Sequence, residues 1–140
     1  MTAILHQATC VAIKGRAILI EGPPGSGKSS LALALIDRGA TLIGDDGVNL
    51  AARDGILYAA PPPNIAGLLE VRNLGLLEFP TASNVPAALI VVLGPDAPRF
   101  IEAPDLAERA GARLPLVRLW QSEVAPAHKV ELALGRYGLT

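Results

Sequence analysis

Eight consecutive residues carry the clearest chemistry in this chain. Gly22-Pro23-Pro24-Gly25-Ser26-Gly27-Lys28-Ser29 matches the phosphate-loop pattern G-x-x-x-x-G-K-S/T at every position. Such a loop turns successive backbone N–H groups inward at the positive end of a helix, which makes a nest for concentrated negative charge. Glycines allow the close backbone approach that a side chain would block. Lys28 is expected to reach the outer phosphates and the Ser29 hydroxyl to hold a magnesium ion. A second group of candidates is Asp45-Asp46. Neighbours on extended backbone point to opposite sides, so the two carboxylates cannot share one task. One division gives one acid to magnesium and the other to a reacting hydroxyl, which is most of what phosphoryl transfer requires. A solvated Asp-Asp-Gly turn is the plainer alternative. Glu70 and Arg72 sit two apart, so on an extended segment both would face one phosphate or metal; an exposed ion pair would look the same. His6, ahead of the first expected strand, and His128, taken singly, suit surface or capping positions, and Trp120 suits a core.

These residues need elements to position them. Ala17-Ile18-Leu19-Ile20 before the loop has the character of a buried strand, and Ser30 to Arg38 after it that of a helix ended by Gly39. Thr9–Ile13 and Ala17–Glu21, joined by Lys14-Gly15, form one expected hairpin. Val48–Ala52 and Ile56–Ala60, joined across Arg53-Asp54-Gly55, form another. Thr41–Gly44 is a short strand leading into the acid pair. Ala87–Leu93 is a strand apolar enough to be buried on both faces. Residues 65–77 fit neither helix nor strand periodicity. A short helix is expected over Asp105–Ala110, a strand over Leu114–Trp120 and a helix over Ala127–Arg136. Hairpins that bracket one helix point to an α/β fold with a mixed, largely antiparallel sheet and few helices, unlike the strict alternation of doubly wound nucleotide folds.

At 140 residues, a single domain over residues 1–140 is expected. Hydrophobic residues make up 51% of the chain, yet no apolar run approaches the roughly 20 residues of a membrane span. The excess suits an α/β core or surface buried between subunits. The first residues lack the basic and apolar regions of a secretory signal. The lone Cys10 excludes an internal disulfide and suits core packing. A net charge of −1 with interspersed signs shows no patch for nucleic acid. No membrane partner is expected either, and a cytoplasmic location is the default.

With the loop, the acid pair and the Glu70 segment in place, the chain resembles the HPr kinase/phosphorylase family, in particular its short bacterial members that keep only the C-terminal catalytic domain. The matching stretches are Gly22 to Ser29, Ala34-Leu35-Ile36-Asp37-Arg38-Gly39 and Leu42-Ile43-Gly44-Asp45-Asp46. The most specific is Ile65-Ala66-Gly67-Leu68-Leu69-Glu70-Val71-Arg72-Asn73-Leu74-Gly75-Leu76, close to a family signature of the form I-x-G-L-L-E-V-R-G-x-G-I. The resemblance implies a P-loop domain of the phosphoenolpyruvate carboxykinase-like type. It further implies ATP- and Mg²⁺-dependent phosphorylation of a serine on the carrier HPr of the phosphotransferase system, reversed in many members with inorganic phosphate. Gly22, Pro23, Pro24, Gly25, Ser26, Gly27, Lys28 and Ser29 would bind the nucleotide phosphates, with Lys28 on the transferred group. Ser29 and Glu70 would take magnesium, and Asp46 would accept the serine proton with Asp45 in support. His6 and Arg99 would be further catalytic residues, Arg99 by its distance from Gly111. Long members are hexamers, so a homo-oligomer is expected. The chain departs from the pattern at Leu119 to Pro126, where long members carry an arginine-containing loop used in dephosphorylation, and at Asn73, where glycine is usual. A phosphate-sensing module that binds without transfer is the rival from another class; a small-molecule kinase would need lid and base-recognition segments that this chain lacks.

Overall fold

The computed structural model describes residues 3–64, 66–121 and 126–140. Within them the order is β1 (Ile4–His6), β2 (Thr9–Ile13), β3 (Arg16–Glu21), α1 (Lys28–Asp37), β4 (Thr41–Gly44), β5 (Val48–Arg53) and β6 (Ile56–Ala60). It continues with β7 (Leu68–Val71), β8 (Gly75–Glu78), β9 (Val85–Gly94), β10 (Asp105–Arg109), β11 (Ala112–Trp120) and α2 (Pro126–Tyr137). The main sheet runs β1-β5-β6-β9-β3-β2-β4, with β11 on β9 and β10 on β11. Only β3 and β11 pair with β9 in parallel; the other pairings are antiparallel. The architecture is therefore the mixed, mostly antiparallel α/β type expected, with both hairpins in place.

The alternation of side chains along the strands explains why so many positions are apolar. Cys10, Ala12, Ala17, Leu19 and Ile90 face one cluster, which β5 and β6 complete through Val48, Leu50, Leu57 and Ala59. Val11, Ile18, Ile20, Leu89 and Val91 face the other, closed by Leu31, Ala32 and Leu35 of α1 and by Ala127, Val130 and Leu134 of α2. Sheet strands covered on both sides need apolar residues at consecutive positions, and β9 has them. Burial pushes the Cys10 thiol far above its ordinary range, which suits inert packing.

α1 ends as its sequence implies. Gly39, at φ +108°, lets the Ala40 N–H reach the Leu35 carbonyl and its own N–H reach that of Ile36, both at 3.0 Å. Three local expectations need correction. Where a helix is expected over Asp105–Ala110, Asp105–Arg109 is a strand, because its backbone is taken up by an antiparallel ladder with β11. Residues 65–77, which fit neither period, contribute to the separate β7–β8 hairpin at 68–78, and β8 is exposed throughout, so no face of it had to be apolar. Finally, His6 does not precede the first strand but ends one, β1, paired with β5.

Candidate functional site: a phosphate-loop cleft with divided acids

The loop between β3 and α1 closes on itself through a 3.1 Å bond from the Ser26 N–H to the Pro23 carbonyl. Gly27, at φ +99°, caps α1 without any side-chain hydrogen bond. The first amides of the helix therefore have no side-chain acceptor at the cap and remain available to an anion. Gly22 shows why the motif demands glycine: a Cβ there would lie 2.7 Å from both the Leu93 carbonyl and Ser26 Oγ. Ser26 Oγ itself is buried with no hydrogen-bond partner. Lys28 Nζ donates to the carbonyls of Gly22, at 2.8 Å, and Pro23, at 3.2 Å, which holds its charge over the loop.

A cleft of about 590 Å³ opens at this loop, lined by Gly22, Pro24, Gly25, Gly27, Lys28 and Ser29, and also by Asp46, Glu70 and Arg72. Loop, acids and signature hairpin thus meet around one space. Pro23 stays outside the lining and meets the site through its carbonyl.

The acid pair divides its work. Asp45 turns inward. Its Oδ1 accepts from Thr9 Oγ1 at 3.0 Å and from Ser29 Oγ at 2.7 Å, and its Oδ2 accepts from the Glu70 N–H at 3.1 Å. One carboxylate therefore ties β2, the start of α1 and β7 together. Because Ser29 spends its proton on Asp45, the lone pairs of its oxygen are left for the cleft. Asp46 is exposed, lines the cleft and sits at φ +59°, a left-handed conformation that Asp tolerates better than most residues but at some cost. The turn is set by Gly44, where a Cβ would run into the Gly47 carbonyl oxygen. The two side chains do diverge, through this turn rather than through a continuing strand.

Glu70 and Arg72 both line the cleft, as their i, i+2 spacing implies. Ser29 Oγ and the Glu70 carboxylate are hard oxygen donors at the mouth of a phosphate nest, with Asp45 directly behind Ser29. Such a set fits Mg²⁺, which keeps several waters and takes one or two protein ligands plus substrate phosphates. No cluster of three or more His, Cys, Asp or Glu residues that could hold a metal ion is found among the described residues.

His6 and Arg99 are placed differently from the expectation. His6 does not line the cleft; its Nε2 lies 2.8 Å from Glu21 Oε2, and the next residue, Gln7, takes the lining position. Arg99 belongs to a separate cavity beside α2. The spacing from Gly111 that pointed to Arg99 could not reveal which arginine folds back on the P-loop strand. That residue is Arg109, on β10, whose Nε and one terminal nitrogen bind the Glu21 carboxylate at 2.9 and 2.7 Å. Burial raises the Glu21 pKa, but the hydrogen bonds and charges of Arg109 and His6 outweigh it and hold the carboxyl below its ordinary value. Glu21 immediately precedes Gly22, so this cluster braces the entrance to the loop. A signal for it existed in the sequence: an acid at the end of an otherwise apolar strand needs a partner. Of the divergent loop from Leu119 to Pro126, residues 122–125 lie outside those described.

Comparison with known proteins agrees with this geometry. Residues 2–84, which hold the loop, the acid pair and the signature hairpin, match the family model described as HPr Serine kinase C-terminal domain. The HPr kinase/phosphorylase of Clostridium novyi is 39% identical over 79 residues, covering 56% of this chain and 26% of that protein. The HPr kinase/phosphorylase of Clostridium botulinum (strain Eklund 17B) is 46% identical over 68 residues, 49% of this chain and 22% of that protein. The chain thus aligns with about a quarter of the length of these curated relatives. The structure of the Hpr(Ser) kinase/phosphatase from Coxiella burnetii superposes with a TM-score of 0.82 over 94% of both chains, at 22% identity, a likeness of fold. On the family match across its phosphate loop, acid pair and hairpin, the chain belongs to the HPr serine kinase C-terminal domain family.

Proposed function

We propose that this chain is an ATP- and Mg²⁺-dependent protein serine kinase that phosphorylates HPr, or an HPr-like carrier of the phosphotransferase system, in the cytoplasm. The observation that carries the reading is the division of the acids: Asp45 orients Ser29, while Asp46 faces the same cleft as Lys28. The loop amides and Lys28 hold the phosphates of ATP and balance their charge. Ser29 and Glu70 would hold magnesium, which when bound would supply charge neutralisation to the phosphates. The carrier serine enters opposite the leaving oxygen. Its oxygen forms the new bond to the γ-phosphorus as the bond to the ADP oxygen breaks, and its proton passes to Asp46.

Arg109, held by Glu21 at the head of the loop, braces the loop in this reading, whereas Arg99 lies in the separate cavity. His6 shares that carboxylate and acts through it on the position of Arg109. In the reverse reaction, with inorganic phosphate as acceptor, Asp46 would return the proton to the serine. Self-association, as a hexamer by family resemblance, is supported by exposed apolar residues beside the site: Leu74 and Leu76 on the signature hairpin and Leu5 on β1 are 71%, 66% and 66% exposed.

The test is to incubate the protein with γ-labelled ATP, Mg²⁺ and HPr and to locate the label. Label on a carrier serine, dependent on Mg²⁺, is the expected result. Tight nucleotide binding with no transfer would overturn the kinase reading in favour of a phosphate-sensing module.

A further inference from the structure

A second cavity, of about 280 Å³, lies between α2, β11 and the segment of residues 97–101, and shares no lining residue with the phosphate-loop cleft. On α2 its wall is Lys129, Leu132, Ala133 and Arg136, the i, i+3, i+4, i+7 positions of one helical face. The buried face of α2, through Ala127, Val130 and Leu134, is a different one. α2 therefore carries two apolar stripes, and the second has a cation at each end.

The opposite wall repeats the pattern. Val117 and Leu119 form an apolar floor, with Arg118 and Arg99 at the edges. Phe100, Leu132 and Trp120 stand on the rim, 79%, 59% and 40% exposed. Large apolar side chains grouped at one opening mark a binding surface more often than scattered ones do. None of the described lining residues is acidic. Arg118 touches Asp105 only at 3.5 Å, Arg136 donates to the Tyr137 hydroxyl at 3.1 Å, and Lys129 Nζ lies 5.7 Å from the centroid of the Trp120 ring. The guanidinium groups are thus at the mouth of an apolar space, in reach of an acceptor that brings its own apolar body.

We propose that this cavity binds a small amphipathic carboxylate, with its apolar body on Val117, Leu119 and Leu132 and its carboxylate on the guanidinium groups of Arg99, Arg118 or Arg136. The size and the balance of apolar wall to a few polar groups suit a small ligand, and a planar guanidinium matches a carboxylate in a two-pronged pair. This assignment is independent of the phosphoryl-transfer reading.

Trp120 is the only tryptophan of the chain, so its emission reports on the cavity. Octanoate titrated into the full chain is expected to change that emission saturably. A charge-assisted contact is worth about 1.5–3 kcal/mol, so octanol should bind at least about tenfold more weakly. Arg136→Gln and Leu132→Glu both alter exposed side chains and should each weaken octanoate by about tenfold or more. Lys28→Ala, which removes the cation of the other cleft, should leave octanoate binding unchanged. Equal binding of octanol and octanoate, affinity that survives both α2 variants, or affinity lost in Lys28→Ala would each overturn the proposal. So would sedimentation showing that Leu132→Glu splits an oligomer while octanoate never binds, since the face would then belong to a second copy of the chain.

Discussion

Asp45→Asn separates the two carboxylates most informatively, because the change is nearly isosteric and the hydrogen-bond pattern decides its effect. The native carboxylate accepts three bonds, from Thr9 Oγ1, Ser29 Oγ and the Glu70 N–H. An asparagine offers one oxygen and one NH₂ group. With its oxygen toward the hydroxyls, its NH₂ faces the Glu70 N–H, donor against donor. With its oxygen toward Glu70, its NH₂ donates to Ser29 and consumes a lone pair that the proposed function gives to magnesium. Either way one charge-assisted contact is lost, a cost of about 1–3 kcal/mol in stability. Support behind a metal ligand is typically worth about 10- to 100-fold in metal affinity, so the Mg²⁺ concentration for half-maximal phosphoryl transfer should rise by about that factor. Nucleotide binding without metal should barely change, because the loop amides and Lys28 are untouched. The assay is an Mg²⁺ titration of labelled phosphate transfer, beside urea unfolding. An Mg²⁺ dependence identical to that of the native protein would refute the assignment of Asp45 as the residue that orients Ser29.

Other perturbations have equally definite outcomes. Lys28→Ala removes a cation whose present acceptors are loop carbonyls, so the fold should survive while ATP affinity falls by about 10- to 150-fold, the equivalent of about 1.5–3 kcal/mol; calorimetry reads this directly, and undiminished affinity would contradict it. Gly22→Ala places a Cβ 2.7 Å from the Leu93 carbonyl, so overpacking of about 1–3 kcal/mol and weaker nucleotide binding are expected, measured by urea unfolding and titration. The Glu21 pKa is lowered in the folded state, so its contribution to stability is present above the unfolded carboxylate value, about 4.3, and is lost as pH falls through the folded value. Glu21→Gln should therefore lower stability at neutral pH and flatten the acid limb of stability against pH; an unchanged acid limb in unfolding experiments would remove Glu21 from that role.

How much of this was legible in the sequence depended on whether a residue's partner was close along the chain. The phosphate loop, the Schellman end at Gly39 and the Asp-Gly hairpin are local, and each forms where its residues imply. β9 was legible because burial on both faces leaves no room for polar residues. β10 was not, since Asp105–Arg109 is short and polar enough to suit either a helix or a strand, and only its ladder with β11 decides the matter. The β7–β8 hairpin has no periodic sequence signature because its exposed second strand has no alternation to display. The spacing of Glu70 and Arg72 reveals their shared cleft, whereas no local spacing points to the arginine on Glu21. Arg109 lies 88 residues from Glu21, a separation that only the closed sheet bridges.

In the proposed reaction Asp46, from its strained turn at the cleft, takes the proton of a carrier serine. Asp46→Asn keeps the size of the side chain and leaves the Asp45–Ser29 contact in place. Single-turnover transfer from labelled ATP to HPr should then drop by about 10²- to 10⁴-fold, with ATP affinity and Mg²⁺ dependence retained. Transfer at the native rate in that variant would show that Asp46 is not the proton acceptor.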